Sequence, residues 1–118
     1  VILLEEFIKL GINGVSIGSN DLTMLLLGTD RDNAEVASAF DERSPAVIWA
    51  LEKVIKTCHK FNVTTSICGQ APSTYDDLVE KLVKTGITSI SVNPDALDNA
   101  RSIIYQAEKN VAKGKTIN

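Results

Sequence analysis

Three short β-prone runs, each leading into a longer stretch with apolar residues three and four apart, decide which folds are open to this chain. The runs are Gly14-Val15-Ser16-Ile17-Gly18, Val63-Thr64-Thr65-Ser66-Ile67 and Ser89-Ile90-Ser91-Val92. Strands separated by helices cannot pair as hairpins. They return to the sheet by crossover and lie parallel, which makes the class α/β. At 118 residues the chain is one domain at most. Three strand–helix units are few for a doubly wound domain. They also suit the C-terminal portion of a (β/α)8 barrel, which needs about 250 residues to close. In either architecture the chemistry gathers in the loops after the strands. Those loops are Gly18–Asp21, Cys68–Ser73 and Asn93–Asp95.

The helices follow from the apolar spacing. Ile2, Leu3, Phe7 and Leu10 form a rough stripe over residues 2–10, and Gly11 stops it. The run opens on Val1 with nothing before it to cap a helix, and reads as the start of an excised fragment. Asn20 or Asp21 is expected to cap a helix over about 21–28. The polar connection from Thr29 to Arg43 has a stretch, Asn33 to Phe40, that can be helical. Ser44-Pro45 is a strong helix start. Val47, Leu51, Val54 and Cys58 mark that helix's inner face to about Lys60. Ser73 is expected to cap a helix with Leu78, Leu82 and Val83 inward. Asn93-Pro94-Asp95 turns into a last helix from Ala96 to about Lys113, with Leu97, Ile103, Ile104 and Ala107 inward. Trp49 and Phe61 read as packing residues, and His59 as solvated.

Composition excludes several function classes. Net charge is −3, with Lys and Arg scattered, which gives no nucleic-acid footprint. No apolar run approaches the length of a membrane span. Two cysteines, Cys58 and Cys68, make no disulfide framework or common zinc pattern, so a cytoplasmic setting is the default.

The loop residues have both a chemical and a plain reading. Gly18-Ser19-Asn20-Asp21 could present backbone amides to an anion and the Asp21 carboxylate to a hard cation, or be an ordinary helix cap. Arg31 could fork onto a phosphate, or pair with Asp30 or Asp32 in a solvated loop. Cys68, ending the second strand, could move a proton, or be a small buried residue.

Taken in order, four segments resemble the C-terminal barrel of the phosphoenolpyruvate synthases, a branch of the phosphoenolpyruvate (PEP)-utilising enzymes. They are Ile17-Gly18-Ser19-Asn20-Asp21-Leu22-Thr23, Gly28-Thr29-Asp30-Arg31-Asp32-Asn33, Ser66-Ile67-Cys68-Gly69-Gln70-Ala71-Pro72-Ser73 and Ser89-Ile90-Ser91-Val92-Asn93-Pro94-Asp95-Ala96. Enzyme I of the sugar phosphotransferase system and pyruvate phosphate dikinase share the wider pattern. Cys-Gly-Gln-Ala-Pro-Ser points to the synthases, because the others carry a Cys-Gly-Glu variant.

The resemblance implies that residues 1–118 are a C-terminal fragment of the PEP/pyruvate-binding barrel. It implies that Asp21 is one of two carboxylate ligands of Mg2+, and that Gly18, Ser19, Asn20 and Asp21 bind substrate. It further implies that Arg31 contacts the phosphate and that Cys68 moves the proton at the methylene carbon. The implied reaction forms PEP from pyruvate and ATP through a phosphohistidine on another domain. The implied partners are therefore the phosphohistidine and ATP-binding domains, and a second copy in a homodimer. Met24 departs from the Gln common in the family. The second Mg2+ carboxylate, a Glu in a Glu-x-Pro segment, is expected upstream of Val1. The rival reading is a stand-alone, non-catalytic α/β module that binds a small anion or a partner protein. An enolase-type or aldolase-type barrel fragment is a further one, with no strand-end lysine to favour the Schiff-base kind.

Overall fold

The computed structural model describes residues 1–116. Helix α1 (Leu4–Lys9) leads to strand β1 (Gly14–Gly18) and helix α2 (Ser19–Leu27). Next come a 3-10 turn (Ala37–Ala39), helix α3 (Pro45–Lys60) and strand β2 (Thr64–Cys68). Helices α4 (Ala71–Thr74) and α5 (Asp76–Thr85) precede strand β3 (Ser89–Ile90), a second 3-10 turn (Pro94–Ala96) and helix α6 (Leu97–Thr116). The three strands form one parallel sheet in the order β1-β2-β3.

Pairing is in register, with Gly14 opposite Thr64, Ser16 opposite Ser66, and Gly18 opposite Cys68. Ser66 in turn faces Ser89. Because strand side chains alternate, this register sorts the sheet into two faces. Ile17, Thr65 and Ile67 are buried on one face. The other face carries Gly14, Ser16, Thr64, Cys68 and Ser89, all exposed, with half-buried Gly18 and Ser66. The sheet is thus covered on its apolar side and open on a side of small polar residues.

The cover is one core. Ile17 and Ile67 join Val47, Leu51, Val54, Ile55 and Cys58 of α3, and Leu78 and Leu82 of α5. Burying a side chain of this size contributes about 1.5–3 kcal/mol. The Ser44 hydroxyl accepts from the Val47 amide and Pro45 opens the helix, as the sequence predicts. Helix α5 ends on Gly86 in the left-handed region (φ 102°), again as expected.

Several expectations need correction. Helix α2 starts at Ser19, with extended Gly18 at its N-cap and no side-chain cap, so neither Asn20 nor Asp21 caps it. Residues 33–40 are turns and one 3-10 segment. Asp30 Oδ1 accepts from the Asp32 amide, and Asn33 Oδ1 from the Glu35 amide, so local side-chain bonds displace helical ones. Ser73 lies inside α4, and extended Tyr75 separates α4 from α5. The Ser73 hydroxyl accepts from the Asn93 amide at 2.8 Å, which ties the loop after β3 to the loop after β2.

Burial also corrects individual residues. Ile2, Leu3, Phe7 and Leu10 are exposed, and Ile8 is the buried residue of α1. Trp49 is exposed, because it sits two residues off the buried 47–51–54–58 stripe, about 200° around the helix. Leu97 is exposed as well, while Ala100 and Ala107 carry the inner face of α6.

Candidate active site

The C-terminal ends of β1 and β2 are neighbours, since Gly18 pairs with Cys68. Helix α2 starts directly after Gly18, so Ser19, Asn20 and Asp21 form its first turn at the sheet's edge. The two loops touch. Gly69 has φ 108°, and a Cβ there would lie 2.3 Å from Ser19 Oγ. Only glycine allows both that backbone conformation and that approach.

Ser19 is 2% exposed, and its hydroxyl donates to Glu42 Oε1 at 3.0 Å. The Asn20 amide completes a chain of bonds when its nitrogen faces Glu42 and its oxygen faces Arg31. Nδ2 then donates to Glu42 Oε1 at 2.8 Å, and Oδ1 accepts from Arg31 Nη1 at 2.9 Å. The reverse orientation would set oxygen against a carboxylate and nitrogen against a guanidinium. Arg31 is therefore bound to the first turn of α2, rather than merely paired with Asp30 or Asp32 in its own loop.

Glu42 is the residue that sequence reasoning missed. It is 5% exposed and comes from the connection just before α3. Burial pushes its carboxyl up from the usual carboxylate range, while the Ser19 hydroxyl and the Arg31 charge pull it back. Asp41-Glu42-Arg43 looks like a solvated charge run, and no local periodicity distinguishes Glu42. Covariation between positions 20 and 42 is the signal that could have found it.

Asp21 is exposed, and its carboxylate folds back over the strand end. A Cβ on Gly18 would lie 3.4 Å from Asp21 Oδ2. A hard cation such as Mg2+ takes oxygen donors, and Asp21 fits as one of them. Among the described residues, no three His, Cys, Asp or Glu side chains cluster as a metal site. Cys68 is a free, exposed thiol on the open face, and Cys58 is buried in the core. The chain so brings together Gly18, Ser19, Asn20, Asp21 and Arg31, with Cys68 on the adjoining strand end.

A groove of about 450 Å³ lies elsewhere, between α3 and α5. Its charged lining is Glu52, Asp77, Glu80, Lys56, Lys81 and Lys84; Lys84 pairs with Glu80, and Lys56 and Lys81 stand 3.1 and 3.3 Å from the Glu52 carboxylate. Hydrogen bonds from Lys56 and then Lys81 hold that carboxyl below its usual range. With three acidic and three basic side chains, the groove has no net charge to offer a ligand. No described helix is long and apolar enough to cross a membrane.

The profile of a family described as PEP-utilising enzyme, PEP-binding domain, matches residues 1–109. The chain belongs to that family. The PEP-binding domain is 50% identical to the phosphoenolpyruvate synthase of Aeropyrum pernix over 113 residues, covering 94% of this chain and 14% of that protein. It is 49% identical to the phosphoenolpyruvate synthase of Helicobacter pylori over 109 residues, and 48% identical to that of Pyrococcus furiosus over 108. Each of these two alignments covers 92% of this chain and 13% of the relative. The chain thus spans about a seventh of the length of the curated relatives it matches.

Proposed function

We propose that this PEP-binding domain supplies one wall of the pyruvate/PEP site of a pyruvate, water dikinase, which forms PEP from pyruvate and ATP. On this reading residues 1–118 are the C-terminal portion of a (β/α)8 barrel. The sequential strand order, with one covered face and one open polar face, supports that reading. The observation that carries the function is the convergence of Ser19, Asn20 and Arg31 through Glu42 at the same sheet edge as Cys68. A plain helix cap needs no such assembly, and Asn20 and Asp21 do not cap α2.

The chemistry follows from the residues. Removing a proton from the methyl carbon of pyruvate places negative charge on the enolate oxygen. Bound Mg2+ supplies Lewis-acid stabilisation of that oxygen. Asp21 would be one of the oxygen donors that hold the ion. Cys68 takes the methyl proton in the forward direction and returns it to the methylene carbon in reverse. The Arg31 guanidinium binds the phosphoryl group, whose bond to a histidine on another domain breaks as the enolate oxygen takes up the phosphorus. Gly18 lets the substrate approach the backbone, and the amides of Ser19–Asp21 point from the start of α2 toward an anion. A cytoplasmic setting and self-association into a homodimer belong to the same proposal.

Incubating the full-length enzyme that carries this segment with pyruvate, ATP and Mg2+, and following phosphorus by NMR, tests the reading. The expected products are PEP, AMP and inorganic phosphate. ATP consumption that does not depend on pyruvate would contradict it.

A further inference from the structure

Glu42 has no role in the chemistry above, yet it is the one buried carboxylate at this edge, and two side chains of the site turn to it. We propose that Glu42 is a positioning residue, which fixes the Asn20 amide and through it the Arg31 guanidinium. This rests on the reading of Asn20 and Arg31 as substrate-binding.

The argument starts from donor and acceptor counts. A carboxylate only accepts, so Asn20 must present its NH2 group to Glu42. Both the Ser19 hydroxyl and the Asn20 nitrogen converge on the same oxygen, Oε1, at 3.0 and 2.8 Å. That choice leaves the Asn20 oxygen facing Arg31, where it accepts at 2.9 Å. Arg31 is exposed on a long polar connection and has a flexible stem. Its bond to Asn20 holds one guanidinium edge and leaves the others for an anion. Glu42 closes this connection back onto α2 across 23 residues. Ser19 is also pressed against Gly69, next to Cys68, so the same carboxylate steadies the junction of both loops.

The test is steady-state kinetics of the full-length enzyme. Glu42→Gln keeps the shape, but its amide can turn either end to Asn20, so the orientation is no longer dictated. The expected result is a KM for PEP, measured in the reverse direction, raised about tenfold, as for a lost charge-assisted bond, with kcat changed less than about twofold. In an Arg31→Ala background the same change should raise KM less than about threefold, because the phosphate-binding group is gone and only Asn20 remains to be positioned. An unchanged KM in the first case, or an undiminished tenfold effect in the second, overturns the inference. If Arg31→Ala itself leaves KM and kcat unchanged, the substrate-site reading fails, and this inference with it. Should E42Q not fold, the pair E42Q/N20D restores a donor facing an acceptor. A KM below that of N20D alone supports the positioning role, and an equal or higher one overturns it.

Discussion

In the full-length enzyme, Cys68→Ala should slow exchange of tritium out of pyruvate's methyl group by about a thousandfold, the usual scale for losing a positioned acid or base. The thiol is free and exposed at the end of β2, in register with Gly18 and one strand from Asp21. A proton-transfer group must reach the carbon while the oxygen end of the ligand is held elsewhere. Asp21 and Arg31 supply that hold from the β1 side. Alanine removes only the sulfur from an exposed site, so the fold should be unaffected. Exchange at the wild-type rate in C68A would remove Cys68 from the chemistry and leave the rest of the site standing.

Gly69→Ala should be the most damaging small substitution at the junction. Its φ of 108° strains any L-residue, and the added Cβ would sit 2.3 Å from Ser19 Oγ and 3.3 Å from the Ser19 nitrogen. The hydroxyl cannot retreat without leaving Glu42, and the backbone nitrogen belongs to the first turn of α2. Strain and overpacking together are expected to cost about 3 kcal/mol. Gly86→Ala is the control. Its φ is 102°, but the nearest atom, His59 Nδ1, is 3.8 Å from the added Cβ. Only the backbone term remains there, about 1 kcal/mol. Hydrogen exchange of the full-length enzyme reads both. Protection of amides in residues 19–23 and 69–74 should fall in G69A and hold in G86A. Equal, small losses in the two variants would mean that the Ser19–Gly69 contact carries no stability.

The strand–helix order was legible because Gly and Pro punctuate apolar runs whose period changes from two to 3.6. Ser44-Pro45 and Gly86 mark helix ends by local chemistry, and the structure agrees. The failures came where local bonds or distant partners decide. Asp30, Asn33 and Asp41 take up nearby amides, so the 29–43 connection stays irregular despite a possible helical pattern. The stripe on α1 showed amphipathicity but not whether anything covers it, and it is Ile8, with half-buried Leu4 packed beside the core, that finds cover. Trp49 was misplaced for a simpler reason. Its offset from the α3 stripe already pointed away from the core.

At the candidate site, each residue type could be picked from loop position and motif wording. Their joining through Glu42 could not, because it depends on a contact across 23 residues that leaves no mark in a single sequence. That contact also changes the meaning of Gly18–Asp21. As a tetrapeptide it reads first as a plain helix cap. In the fold, Asn20 is bonded to Glu42 and Arg31, and Asp21 lies exposed over the strand end.

The most direct test is a crystal structure of the full-length enzyme with PEP and Mg2+. The account predicts that the ligand lies across the ends of β1 and β2. Its phosphate should be within hydrogen-bonding distance of Arg31, Mg2+ should be on Asp21, and the methylene carbon should lie beside the Cys68 sulfur. A ligand bound away from Asp21 and Cys68, for instance in the Glu52–Lys81 groove between α3 and α5, would contradict it.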